Sequence, residues 1–341
     1  MGIAALSRKL TALAPAPIEH ILERIKSSPT GERLARGTFW TFTGTLFSRG
    51  LNMAAMILVA RLLGKSEFGE LGIIQSTVMM FQTLAGFGLG WAATKYVAEF
   101  RNSDPSKAGK IIGFSILTAA GTGGILAILF FVAAPWLAEH TLAAPDLTRP
   151  LQISSLILFV STLAGTQTGV LAGFEAFNSI AKIGFINGVL SIPLIVGGAI
   201  LWGVEGAVWG MIVSFAANWL LNRHNLKKAA ALSGIKISWA TCLQVKKILW
   251  DFNLPAVLGG TLFQVGNWAG GAILVNQPGG YGEMGFYSAA NQWFSALLFL
   301  PGVPEDRVPG RYVRQNQLNP SRLNHLWPLC IRRCRSEGAC R

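Results

Sequence analysis

The sequence predicts an all-α, polytopic membrane protein of about eight transmembrane helices, with one complete six-helix lobe and the start of a second. Three observations predict it. Between residues 38 and 303 lie eight apolar stretches, and ~20 apolar residues suffice to cross ~30 Å of hydrocarbon. Charged residues make up 13% of the chain and the mean hydropathy is +0.45, whereas soluble domains carry about 25% charge. The polar links alternate in Lys/Arg content. With the N-terminus cytoplasmic, the inner segments before residue 304 hold seventeen Lys/Arg, against Arg61, Lys65 and Arg149 outside. That is a positive-inside bias, and it accounts for the net charge of +13 without invoking nucleic acid, because the basic residues form no soluble face.

The elements follow in order. Residues 1–36 form a basic cytoplasmic lead-in. Arg8, Lys9, Pro15 and Pro17 interrupt its apolar stretch, so it does not read as a secretory signal. Ile18–Ile25 is amphipathic and suits the membrane surface, with disorder as the alternative. The predicted spans are 38–60, 69–92, 111–133, 151–173, 183–202, 206–222, 252–275 and 284–303. The first six make an N-terminal lobe over 37–222. A basic cytoplasmic loop covers 223–250, and 251–303 holds the first two helices of the second lobe. Residues 304–341 change character: eight arginines, no lysine, three of the four cysteines, and no stretch able to span a bilayer. A frameshift or other truncation is the expectation for this aberrant Arg-rich tail; a genuine cytoplasmic tail is the alternative. His325, Cys330, Cys334 and Cys340 fit none of the common zinc spacings.

A shift of 213 residues exposes a repeat. Phe68-Gly69-Glu70-Leu71-Gly72 falls on Tyr281-Gly282-Glu283-Met284-Gly285. Both copies occupy the outer start of a helix. Six helices separate them, an even number, so both point the same way through the membrane. A parallel repeat of six-helix bundles is the arrangement expected, as in some alternating-access transporters.

Arg49 is the costliest residue in the chain. It lies about eleven residues into the first span, ~16 Å deep at 1.5 Å per residue. Burying Arg there costs at least ~2.5 kcal/mol on insertion scales, so it should face a wet cavity or a partner. Thr45 and Asn52 share its face at i−4 and i+3. A guanidinium fork suits a phosphate group; snorkelling or carbonyl binding is the structural alternative. Acids are missing from mid-span, which disfavours an exporter of cations, since that would want a buried carboxylate. Glu70, Glu283 and Asp251 lie at helix starts, where a carboxylate suits the dipole. Asn187, Asn218, Gln264, Asn267, Asn291 and Gln292 lie inside spans. They could line a cavity that binds sugar hydroxyls, or hold helices together. Trp268 and Trp293 could stack on sugars or anchor at the interface. Gly64-Lys65-Ser66 is no phosphate loop, because Val59 stands where the leading glycine is required. No cofactor is expected, and nothing supplies ATP hydrolysis.

The run Ala60-Arg61-Leu62-Leu63-Gly64-Lys65-Ser66-Glu67-Phe68-Gly69-Glu70-Leu71-Gly72 resembles the first inter-helix segment of the oligosaccharide flippases, or polysaccharide biosynthesis proteins. The regions Gly88–Tyr96 and Gly169–Lys182, and the motif Leu300–Val303, are similar to that family as well. The resemblance implies a V-shaped transporter of two six-helix lobes in a bacterial plasma (inner) membrane. It implies a cargo of lipid-linked oligosaccharide on undecaprenyl diphosphate, carried outward for surface polysaccharide such as O-antigen lipopolysaccharide. Membrane lipids and other polysaccharide-assembly proteins are the further partners expected. Cationic cavity residues of the family face the diphosphate, and Arg49 is the position here that matches. The alternatives are a cation-coupled small-molecule exporter and a membrane-embedded polysaccharide-synthesis enzyme. The enzyme would need acids or metal ligands on aqueous loops, and the longest internal loop, 223–250, is basic and has no acid before Asp251.

Overall fold

The computed structural model describes residues 29–86, 88–237 and 246–302, with side chains over 46–86, 88–237 and 260–295. The start of the lead-in, the Thr45 side chain and the 304–341 tail lie outside the described residues. The chain divides after Gln292 into a large unit and a small C-terminal one beginning at Trp293. All packing described below belongs to the large unit.

Among the described residues seven α-helices follow one another and there is no strand. They are α1 (Pro29–Gly86), α2 (Leu89–Phe100), α3 (Pro105–Trp136), α4 (Thr148–Gly173), α5 (Phe177–Leu232), α6 (Lys246–Val275) and α7 (Gly280–Gly302). A π turn (Leu137–Thr141) and a 3-10 turn (Pro145–Leu147) join α3 to α4. Among the described residues four stretches are long and apolar enough to cross a membrane: Leu46–Gly86, Pro105–Thr141, Pro145–Gly173 and Phe177–Leu232.

Two of these stretches are hairpins. An unbroken α1 of 58 residues would run ~87 Å, about three bilayer cores. Instead Gly64 takes φ 76°, ψ 178°, and the amide of Gln75 comes within 4.0 Å of the Met56 sulfur. In α5 the break falls at Trp202 and Gly203 (φ 58°, ψ −135°). Its arms run antiparallel: Gly198 backs onto Gly206, and Gly210 onto Leu194 and Ile195. The four stretches therefore hold six arms, in the places expected for helices one to six. α6 and α7 come next in the chain.

Two boundaries differ from the sequence reading. The second span, expected over 69–92, is interrupted: α1 ends at Gly86, and α2 starts after Gly88 in the left-handed region (φ 63°). Glycine meets that conformation without the penalty of a Cβ. The segment from 223, read as a loop, continues α5 as helix to Leu232.

Gly64, Gly203 and the α3–α4 link share one end of the molecule, called here the hinge end. The α6–α7 turn docks there: Asn276 Nδ2 donates to the Thr141 carbonyl at 2.7 Å, and the Tyr281 hydroxyl to that of Leu142 at 2.7 Å. At the opposite end Arg101 ties α2 to the α4–α5 turn. Its guanidinium pairs with Glu175 at 2.7 Å and donates to the Gly173 carbonyl at 3.3 Å. Asp104 caps α3 by accepting from Lys107 N at 2.9 Å, with Pro105 beside it, a favoured start for a helix.

The apolar core has two main parts. Val59, Leu71, Phe130, Leu151, Leu158 and Val208 pack towards the hinge end. Val97, Ile111, Ile112, Leu171, Ile183 and Leu226 pack towards the other. The outer face is apolar too: Ile125, Ile128 and Val132 of α3 are exposed, as a lipid-facing helix requires, since only its backbone must be satisfied internally.

Candidate functional site

The polar residues predicted from the sequence fall at one depth. Counted from the hinge of their own hairpin, Arg49, Asn52, Asn187, Asn218, Gln264 and Asn267 lie ~16–24 Å in at 1.5 Å per residue. The structure divides them into an internal seam, an exposed stripe and a pair of α6–α7 contacts.

The seam crosses the lobe in relays. Ser191 Oγ donates to Asn52 Oδ1 at 3.2 Å, while Asn52 Nδ2 donates to the Ser48 carbonyl at 3.0 Å. One turn before Ser191 on the same arm is Asn187, whose Oδ1 accepts from Ser214 Oγ at 3.3 Å. One turn after Ser214 is Asn218, whose Oδ1 accepts from Asn222 Nδ2 at 2.8 Å. Asn222 also reaches Thr168 Oγ1 of α4 at 3.2 Å. Asn52 thus links α1 to α5, Asn187 joins the two arms of α5, and Asn222, bonded to Asn218 on its own arm, reaches α4. Ser191, Ser214 and Asn222 are buried. Sequence reasoning missed Ser191, Ser214, Asn222 and Thr168. Their signal was the i, i+4 spacing at 187/191 and 214/218/222, which puts polar groups on one helix stripe.

Arg49 stands outside this seam and is exposed. Ser48 and Leu51 pack on Gly188 of α5, and Arg49 is turned ~100° from Ser48 by helix geometry. Its stripe continues at i+4 and i+7 through Met53 and Met56. Met56 approaches Gln75, whose amide lies 3.6 Å from the Met211 sulfur. Gln75 is a half-buried amide in mid-arm that the sequence reading did not single out. Arg49 therefore lies on a helix stripe that continues through the half-buried Met53 to Met56, the residue that meets Gln75.

On α6, Asn267 Oδ1 accepts from the Tyr287 hydroxyl of α7 at 2.7 Å. Trp268 Nε1 donates to Thr77 Oγ1 at 3.0 Å, joining α6 to the second arm of α1. Gln264 is half-buried and Asn291 and Trp293 are exposed. Among the described residues no group of three His, Cys, Asp or Glu side chains could hold a metal ion.

The two copies of the repeated motif meet. A Cβ at Gly69 would strike the Tyr281 carbonyl and Gly285 N; one at Gly72 would strike Ser288 and lie against Met284. Gly285 in turn backs onto the Lys65 carbonyl. The equivalent helix starts lie side by side, close enough for backbone contact because the facing residues lack a Cβ.

The described residues define an all-helical, multi-pass membrane protein with a polar seam between its helices. Residues 34–301 match the model of the polysaccharide biosynthesis protein family, and the chain belongs to that family. It is similar to the lipid III flippases of Escherichia coli (strain K12) and Shigella flexneri, with 26% identity over 66% of this chain and 54% of each relative. It is also similar to the stage V sporulation protein B of Bacillus subtilis (strain 168), with 25% identity over 53% of this chain and 36% of that protein. The chain thus spans about half or less of the length of these curated relatives. No solved structure matches it.

Proposed function

We propose that this chain serves as a flippase in a bacterial inner membrane, translocating a polyprenyl-diphosphate-linked oligosaccharide for surface polysaccharide synthesis, O-antigen lipopolysaccharide being the class of product. The observation that carries this reading is Arg49, a cation at mid-membrane depth on an exposed stripe of the N-terminal lobe. A guanidinium can offer two parallel N–H donors to a phosphate. The family match and the similarity to the lipid III flippases support the same reading. Asn52, Asn187 and Asn218 then hold the lobe behind Arg49, while Gln264, Asn267 and Asn291 of α6 and α7 face the sugar. The N-terminus is cytoplasmic in this scheme, which places the hinge end outside. The role is transport, not catalysis.

The test is complementation of a strain lacking its oligosaccharide flippase. Wild-type chain should restore surface glycan, and Arg49→Ala should lower it at least tenfold, a loss of ~1.4 kcal/mol, with membrane abundance unchanged. Arg49→Lys should keep part of the activity if charge suffices, and little if the fork matters. Unchanged glycan with Arg49→Ala removes Arg49 from the mechanism. Restored efflux of cationic dyes without glycan would favour a small-molecule exporter instead.

A further inference from the structure

A groove of about 460 Å³ opens at the hinge end, away from the seam and from Arg49. Arg149 of α4 and Glu205 of α5 stand at its rim; Phe131, Leu156 and Trp209 form its apolar walls, with Ser155 between them. Along α4, Leu156 lies seven residues below Arg149, ~10 Å deeper at 1.5 Å per residue. The groove therefore passes from a charged rim to an apolar floor over the depth of a lipid headgroup region.

The rim pair is loose. Arg149 Nη2 and Glu205 Oε1 are 3.9 Å apart, and the Arg149 side chain is 79% exposed. A charge-assisted hydrogen bond is ~2.7–2.9 Å long. A pair so open contributes ~0–1 kcal/mol, so a ligand could replace it at small cost. One cation and one anion side by side complement a group that carries phosphate and ammonium together. The apolar floor complements acyl chain. The volume suits a headgroup with the first part of its chains, not an oligosaccharide.

We propose that this groove is a phospholipid site selective for a zwitterionic, primary-amine headgroup, with the phosphate on Arg149 and the ammonium on Glu205. It lies apart from the translocation path and does not depend on the transport reading.

The full chain, purified in mild detergent, is offered an equimolar mixture of phosphatidylethanolamine, phosphatidylcholine and phosphatidylglycerol of equal chain length. Retained lipids are counted by native mass spectrometry. The ethanolamine lipid should be retained most. Arg149→Ala should lower its retention roughly tenfold, ~1.4 kcal/mol. Glu205→Gln should abolish the preference for ethanolamine over glycerol. Leu156→Trp, which fills the floor and leaves both charges, should lower retention of all three lipids. Thermal melting checks that each variant folds; if Arg149→Ala does not, Glu205→Gln and Leu156→Trp decide. The proposal is overturned if Leu156→Trp retains lipid like wild type, or if Glu205→Gln keeps the ethanolamine preference. It is overturned equally if soluble glycerophosphoethanolamine competes as well as the lipid, or if a second copy of the chain occupies the groove in place of lipid.

Discussion

The α1 and α5 hairpins fold back in the same sense but are closed differently. In α5 the arms touch through backbone: Gly198 and Gly206 each face the other's carbonyl, and a Cβ at Gly210 would come within 2.7 Å of the Ile195 Cα. In α1 nothing lies within 4 Å of a Cβ at Gly64. Its second arm spends its small residues elsewhere, with Gly69 and Gly72 turned to α7. Small residues let helices approach closely in lipid, where apolar burial supplies no drive between them. Where the glycines point therefore decides which helices form one body. α5 is fused into a single strut. The second arm of α1 belongs to α7 as much as to its own hairpin.

The largest effect should come from breaking the strut. Gly210→Leu places a side chain against backbone that cannot yield without parting the arms. Overpacking costs ~1–3 kcal/mol and occasionally more, so folded protein recovered from membranes should fall sharply and its melting temperature should drop. A Gly210→Leu variant that melts like wild type would erase the contrast between the hairpins. Next comes the contact between the repeat copies. Gly72→Cys with Ser288→Cys should form a disulfide under mild oxidation once the helices ease apart, because a Cβ at Gly72 would lie 2.9 Å from that of Ser288 and bridged Cβ atoms lie ~3.5–4.5 Å apart. Adding Gly69→Val should cut the yield several-fold while melting changes less than for Gly210→Leu. An unchanged yield would mean that α1 and α7 meet without needing these glycines.

Gly64→Ala sharpens the comparison from the other side. There is room for the methyl group, so any cost is conformational. Its φ 76° and ψ 178° belong to a region essentially reserved for glycine, where another residue costs ~1–3 kcal/mol. A lowered melting temperature with intact α5 packing is expected, and the Gly72–Ser288 cysteine pair should report whether the second arm has moved. Unchanged melting and unchanged cross-linking would show that the hinge tolerates a different angle.

Much of this architecture is legible in the residues, for reasons that also mark where legibility stops. Runs of apolar side chains place the six arms, and links at 61–68 and 203–205 fall where Gly64 and Gly203 turn. Hydropathy sees the second span as continuous because Gly86, Gly88 and Gly90 interrupt it without adding polarity. Only their clustering hints at a break, and the reason for Gly90 is its close approach to Gly165 and Gly169 of α4. The repeat at 68–72 and 281–285 is visible as a pattern, but not that its copies touch. In-span asparagines read equally as cavity lining or glue. For Asn52 and Asn187 the observed hydrogen bonds cross between arms, whereas Asn218 accepts from Asn222 on its own arm, and which of these occurs depends on the stripe a neighbouring arm presents. Arg49 is conspicuous for its cost alone; the approach of Gln75 to Met56 needs the fold-back of α1 to appear.

The smallest expected effect concerns the seam that links α5 to both neighbours. Asn222 is 2% exposed and reaches Asn218 at 2.8 Å and Thr168 at 3.2 Å. In water-soluble interiors, losing such a donor costs ~1–3 kcal/mol. Within a bilayer the measured average for interhelical hydrogen bonds is ~0.6 kcal/mol, because the separated helices find other partners. Asn222→Ala should therefore lower stability by ~0.6–1.7 kcal/mol, less than Gly210→Leu. A double-mutant cycle with Thr168→Ala isolates the shared term. A coupling of ~0.6 kcal/mol would assign the seam to holding α4 on the α5 strut. Zero coupling, with the two single losses simply adding, would mean that shape alone keeps α4 in place. The strut would then be defined by its glycines and not by its amides.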